Sequence, residues 1–124
     1  MKSKNIIKKV NEGDNMMKLN TSQEVNEFIS NNEMALLYFS SKSCSVCVGM
    51  FPKVEEMLKS YPNIKSANID VDKSTEAAGQ HLIFSLPAIL VYVNGKETIR
   101  KARIISMLEL EKSIKKYYDL IFNY

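Results

Sequence analysis

Cysteine and histidine are scarce: two cysteines and one histidine among 124 residues. Closed zinc sites take four ligands, so Cys44, Cys47 and His81 fall short without carboxylates, and neither a resident metal nor any cofactor is expected. Long apolar runs are missing as well. Nothing approaches the roughly 18 uninterrupted apolar residues of a membrane span. Near the amino terminus Ile6-Ile7 gives way at once to Lys8-Lys9, which leaves out the apolar centre of a secretory signal. A cytoplasmic protein that does not engage a membrane is therefore expected. Charge of one sign is also in short supply, with a formal net charge of +3 to which Lys2, Lys4, Lys8 and Lys9 contribute against Glu12 and Asp14. That is weak ground for nucleic-acid binding, and a solvated surface accounts for it. There are no internal repeats and no low-complexity tracts.

What is present suits a single α/β domain. Hydrophobic residues make up 45% and charged ones 25%, ordinary values for a globular chain, and the length allows one real core but not two. The most informative stretch runs from Met34 to Lys59. Six apolar residues, Met34 to Phe39, read as a strand covered on both faces, ended by the polar Ser40-Ser41-Lys42-Ser43. Beyond it Val48, Met50, Phe51, Val54, Met57 and Leu58 recur at helical spacing. Cys44-Ser45-Val46-Cys47 thus falls in the first turn of a helix. Residues three apart on a helix share a face and can join in a disulfide without backbone movement. The positive end of the helix dipole stabilises a thiolate at Cys44, while Cys47, one turn deeper among apolar residues, is the shielded thiol suited to resolving a mixed disulfide. In a reducing compartment this spacing points to catalysis or metal binding before a structural staple.

Residues 1–15 are polar and lysine-rich and read as a flexible arm, followed by a domain over residues 16–124. Met16 to Leu19 forms a short first strand; Met16 or Met17 is also an alternative start of translation. Thr21 and Glu24 make a capping box for a helix that stops near Asn31-Asn32. Ile64 to Val71 is a second main strand, with Ala67, Ile69 and Val71 on one face, and a short helix follows from Asp72–Ser74 through Leu82. A strand beginning at Leu86-Pro87 runs to Val93, Asn94-Gly95 turns a hairpin into Glu97–Ala102, and Met107 to Ile121 is an amphipathic helix. This order fits a mixed sheet of four to five strands with helices on both faces. The methionines at 34, 50, 57 and 107 fill the core. His81 is a surface or packing residue, and Lys112, Lys115 and Lys116 lie on a solvated face.

Taken together, Cys44-Ser45-Val46-Cys47 after a buried strand, Pro52 five residues on, Leu86-Pro87 before a strand and Asn94-Gly95 in a hairpin resemble the thioredoxin family over roughly residues 16–118. The resemblance implies a thioredoxin-like fold, a kink at Pro52, and a cis bond before Pro87, with that proline lying against the disulfide. It also implies that Leu86 pairs through its backbone with an extended substrate segment, and that Ser43, Ser45, Val46, Leu86 and Pro87 form the substrate-facing surface. Several residues depart from the family pattern. Ser45-Val46 replaces Gly-Pro between the cysteines, Ser43 stands where a tryptophan usually precedes the first cysteine, and Arg103 replaces a glycine. Tyr38 and Ser66 stand where the family has a buried aspartate and a lysine that help deprotonate the second cysteine. An unperturbed tyrosine, with a pKa of about 10, is a poor base.

The implied activity is thiol–disulfide exchange, with Cys44 attacking a protein disulfide and Cys47 releasing the reduced product. Electrons would come from a thioredoxin reductase or a low-molecular-weight thiol, and nothing calls for more than a monomer. A binding module of the same fold with little redox turnover is the competing reading.

Overall fold

The apolar run in the centre of the chain becomes the middle strand of a five-stranded sheet. The computed structural model describes residues 16–123, so the expected arm over residues 1–15 lies outside them. In chain order the elements are β1 (Met17–Leu19), α1 (Ser22–Asn31), β2 (Met34–Ser40), α2 (Ser45–Leu58), β3 (Lys65–Asp70), α3 (Thr75–Gln80), β4 (Ala88–Val93), β5 (Lys96–Ala102) and α4 (Met107–Phe122). The sheet order is β1-β3-β2-β4-β5. β1, β3 and β2 run parallel, and β4 and β5 are antiparallel additions.

Because successive side chains point to opposite faces, β2 supplies two cores. Leu36 and Tyr38 join Ile89, Val91, Leu110 and Ile114 beneath α2 and α4. Leu37 and Phe39 join Val25, Ile69 and Leu90 beneath α1 and α3. Every residue from Met34 to Phe39 is buried, as a run of apolar residues in a doubly covered strand requires. Met34 and Met57 lie in the first core, and Met50 and Met107 pack against it.

Local signals place the element ends. Thr21 caps α1 in a reciprocal box with Glu24, and Ser106 caps α4 by accepting from the Glu109 N–H. Asn94 and Gly95 both take positive φ (51° and 83°), the pair that a two-residue hairpin needs. Some boundaries are tighter than expected. β3 ends at Asp70, α3 starts at Thr75 and ends before Leu82, and β4 starts at Ala88, leaving Pro87 just outside it.

Register brings the loops that matter to one end. Ser40 pairs with Asp70, Phe39 with Ala88, and Ala88 with Ala102. The end of β2, the end of β3, the start of β4 and the end of β5 therefore meet at the carboxyl edge of the parallel strands, where α/β sheets place their sites.

Removing the Leu36 side chain from this packed centre (Leu36→Ala) should cost about 2–5 kcal/mol in urea unfolding. Leu108→Ala, at a position 69% exposed, should change stability by less than about 0.5 kcal/mol.

Candidate active site

The segment from Ser40 to Cys47 leaves the sheet and opens α2, and polar contacts hold its shape. Ser41 Oγ donates to the Asp72 carboxylate at 2.6 Å and lies 3.0 Å from Ser43 Oγ. The Ser43 N–H points to Ser41 Oγ at 3.3 Å, and the Cys44 N–H donates to the Ser41 carbonyl at 3.1 Å. Lys42 and Ser43 are exposed between these anchors.

Cys44 is the N-cap of α2 rather than a member of its first turn, as its extended backbone (φ −94°, ψ 98°) defines. Its Sγ accepts the Cys47 N–H at 3.2 Å, and its carbonyl accepts the Val48 N–H. The sulfur thus occupies the place a serine or aspartate oxygen takes at other helix starts. Cys44 and Cys47 form a disulfide with a Cα separation of 5.2 Å. Cys44 is half-buried, whereas Cys47 is only 1% exposed. One sulfur can meet a partner, and the other can be reached only from within. Among the described residues no group of three or more Cys, His, Asp and Glu side chains is placed to hold a metal ion.

The remaining predicted residues divide. Ser45 and Val46 are exposed on the first turn, with Val46 59% exposed. The Leu86-Pro87 peptide bond is cis. Pro87 is buried at the same end of the sheet, its carbonyl accepting the Arg103 N–H at 3.0 Å. Arg103 has φ 70°, a left-handed backbone that glycine adopts without penalty. Pro52 lies inside an unbroken α2. His81 is a packing residue on the far side of the sheet, its ring near Phe39 and Tyr92 and its Nδ1 3.1 Å from Tyr92 Oη. Burial and the nearby Arg100 lower its pKa.

Tyr38 is fully buried. Its hydroxyl donates to the Cys47 carbonyl at 2.6 Å, and its ring meets Phe51 edge-on. Burial pushes its pKa from 10.0 to about 12. The phenol therefore stays protonated at neutral pH and works as a donor that ties β2 to α2. Ser41 and Asp72 were missed in the sequence because 31 positions separate them. A cavity of about 420 Å³ beside Cys47 was missed for a similar reason. One signal did exist: Ser66, Asn68 and Asp70 alternate with apolar residues in β3, a polar row on the face that carries Tyr38.

A mixed sheet with a disulfide-forming cysteine pair at its carboxyl edge, one sulfur at a helix start and one enclosed, defines the thiol–disulfide oxidoreductases of this fold. The thioredoxin family model matches residues 16–116, and the chain belongs to that family. The thioredoxin-like protein YdfQ of Bacillus subtilis is 31% identical over 105 residues, covering 85% of this chain and 94% of that protein. Thioredoxin 1 of Plasmodium falciparum is 36% identical over 81 residues, covering 64% of this chain and 78% of the relative. Among solved structures, Fasciola hepatica thioredoxin superposes with a TM-score of 0.76 at 27% identity, covering 82% of this chain and 98% of that one.

Two outcomes follow for the buried phenols. Tyr38→Phe should cost about 1–2 kcal/mol in urea unfolding, since the Cys47 carbonyl loses a donor, while Cys44 alkylation in the reduced protein keeps its rate. Tyr61, bonded to Glu111, is likewise raised to about 12. An acid whose folded pKa is raised stabilises the fold fully below its unfolded value of about 10 and loses that contribution as pH climbs through its folded value. Ultraviolet titration should show a late tyrosine class near pH 12, with stability falling above pH 10.

Proposed function

We propose that this thiol–disulfide oxidoreductase reduces protein disulfides through Cys44 and Cys47, acting in the cytoplasm as a monomer and carried by one domain over residues 16–124. The observation that carries the reading is the pairing of a half-buried sulfur at a helix start with an enclosed one whose Cα is 5.2 Å away. The Cys44 thiolate attacks a substrate disulfide, forming a mixed disulfide and expelling one substrate thiolate. Cys47 then gives up its proton and attacks Cys44 Sγ. The Cys44–substrate bond breaks, the second substrate thiolate leaves with the electron pair, and the Cys44–Cys47 disulfide remains. Two electrons pass from the cysteine pair to the substrate. A reductase of the thioredoxin type or a low-molecular-weight thiol supplies them again.

Ser43, Ser45, Val46, Leu86 and Pro87 form the docking surface in this reading, with Leu86 offering backbone pairing to an extended segment. Its support is the register that brings the start of β4 beside the end of β2. The competing reading, a binding module with little turnover, draws on Tyr38, a phenol that cannot serve as base.

Reduction of a protein disulfide by wild type, Cys44→Ser and Cys47→Ser separates the two. Turnover should vanish in both variants, and Cys47→Ser should accumulate a mixed disulfide at Cys44 detectable by mass. Equal slow rates in all three proteins would leave only the binding module.

A further inference from the structure

Resolution by Cys47 requires a proton acceptor, and on the reading above the acceptor must be reached from inside the protein. Tyr38 is a protonated phenol already engaged as a donor. The cavity beside Cys47 offers another route. Cys47, Val48 and Phe51 of α2 form one wall, Tyr38 and Ser40 of β2 the floor, and Asn68 and Asp70 of β3 continue it outward. Its volume of about 420 Å³ is room for on the order of ten waters at about 30 Å³ each.

The floor is polar by register. Tyr38 pairs with Asn68, Ser40 with Asp70, and Lys18 of β1 with Asn68, so the five side chains share one face of the sheet. Ser40 Oγ donates to Asn68 Oδ1 at 2.9 Å. Among the described residues Asp70 is the one carboxylate lining the cavity, and the other charged groups facing it are Lys18, Lys42 and Lys73. Asp70 Oδ1 accepts the Asp72 N–H at 2.9 Å, and the residue lines the cavity. The Asp72 carboxylate is occupied by Ser41.

We propose that Asp70 is the proton acceptor for Cys47, reached through water in this cavity along the polar floor of Ser40 and Asn68. The Cys47 thiol passes its proton to water, and the water passes one to Asp70. The resulting thiolate attacks Cys44 Sγ, the Cys44–substrate S–S bond breaks, and Asp70 gives its proton back through water to the departing substrate thiolate, so that it returns to its starting state. Asp70 touches neither sulfur directly and is a positioning residue for the proton.

The test uses the full chain, reduced, with an aromatic disulfide whose two thiolates are released in separate phases. The first phase reports Cys44 attack, the second resolution by Cys47. In Asp70→Asn the first phase should keep its rate, which also shows that the variant is folded, and the second should slow by about 10-fold or more at pH 7. Its rate should then rise with hydroxide, as for a thiol that must ionise without an internal acceptor. Formate or acetate, small enough to enter the cavity, should restore it. Ser40→Val keeps the carboxylate but places apolar surface on the route, and should slow the second phase without such rescue.

A second phase at the wild-type rate and pH profile in Asp70→Asn would overturn the proposal. So would slowing that is equal at every pH and unrelieved by carboxylate. Should Asp70→Asn misfold, a wild-type second phase in Ser40→Val overturns it. Absence of a second phase in the wild type is a different failure, that of the oxidoreductase reading itself.

Discussion

A sulfur atom caps a helix: Cys44 Sγ accepts the Cys47 N–H at the start of α2, and the site depends on the elements that hold it there. A cap must sit where the chain is still extended and the helix has just begun, and two anchors hold the segment there. β2 is hydrogen-bonded on both sides, by β3 and β4, so its carboxyl end has little freedom. Ser41, bound to Asp72, fixes the first residue beyond it. The Cys44 sulfur therefore rests on rigid elements rather than on a free loop, the support that a precisely held group needs.

The two cysteines are made unlike by position alone. Three residues apart, one lies at the helix boundary and the other one turn inward, against Tyr38 and the sheet. Tyr38 serves this arrangement as a strut, joining the middle strand to the backbone of Cys47. A carboxylate there would bring charge to a fully buried position, at a desolvation cost that a hydrogen-bonded phenol avoids. Polar groups lie instead toward the end of the sheet, where Ser40, Asn68 and Asp70 face a space that water can enter.

Much of the architecture was legible because it follows from periodicity and turn chemistry. Met34 to Phe39 had to be a doubly covered strand, Thr21 with Glu24 had to start a helix, and Asn94-Gly95 had to turn back. The cysteine pair was legible from its spacing. Whether Cys44 sits at the cap or in the first turn was not, because the difference is a backbone dihedral that neighbouring residues leave open. The Ser41–Asp72 contact and the cavity depend on β3 lying between β1 and β2. A polar residue in β3 announces its face but not the side chains of the strands beside it. The role of Tyr38 was half legible: its hydroxyl needed a partner, and only the packed structure identifies the Cys47 carbonyl.

The borders of the sheet carry a last consequence. On one side β1 is only three residues long. On the other, β5 bears Lys96, Glu97, Arg100 and Lys101, with Arg100 clamped to Glu97 at 2.7 Å and to the carbonyls of His81 and Leu82. Stubby or ionic margins discourage a sixth strand from zipping on. The sheet is thereby guarded from stacking into fibres with other copies of the same chain.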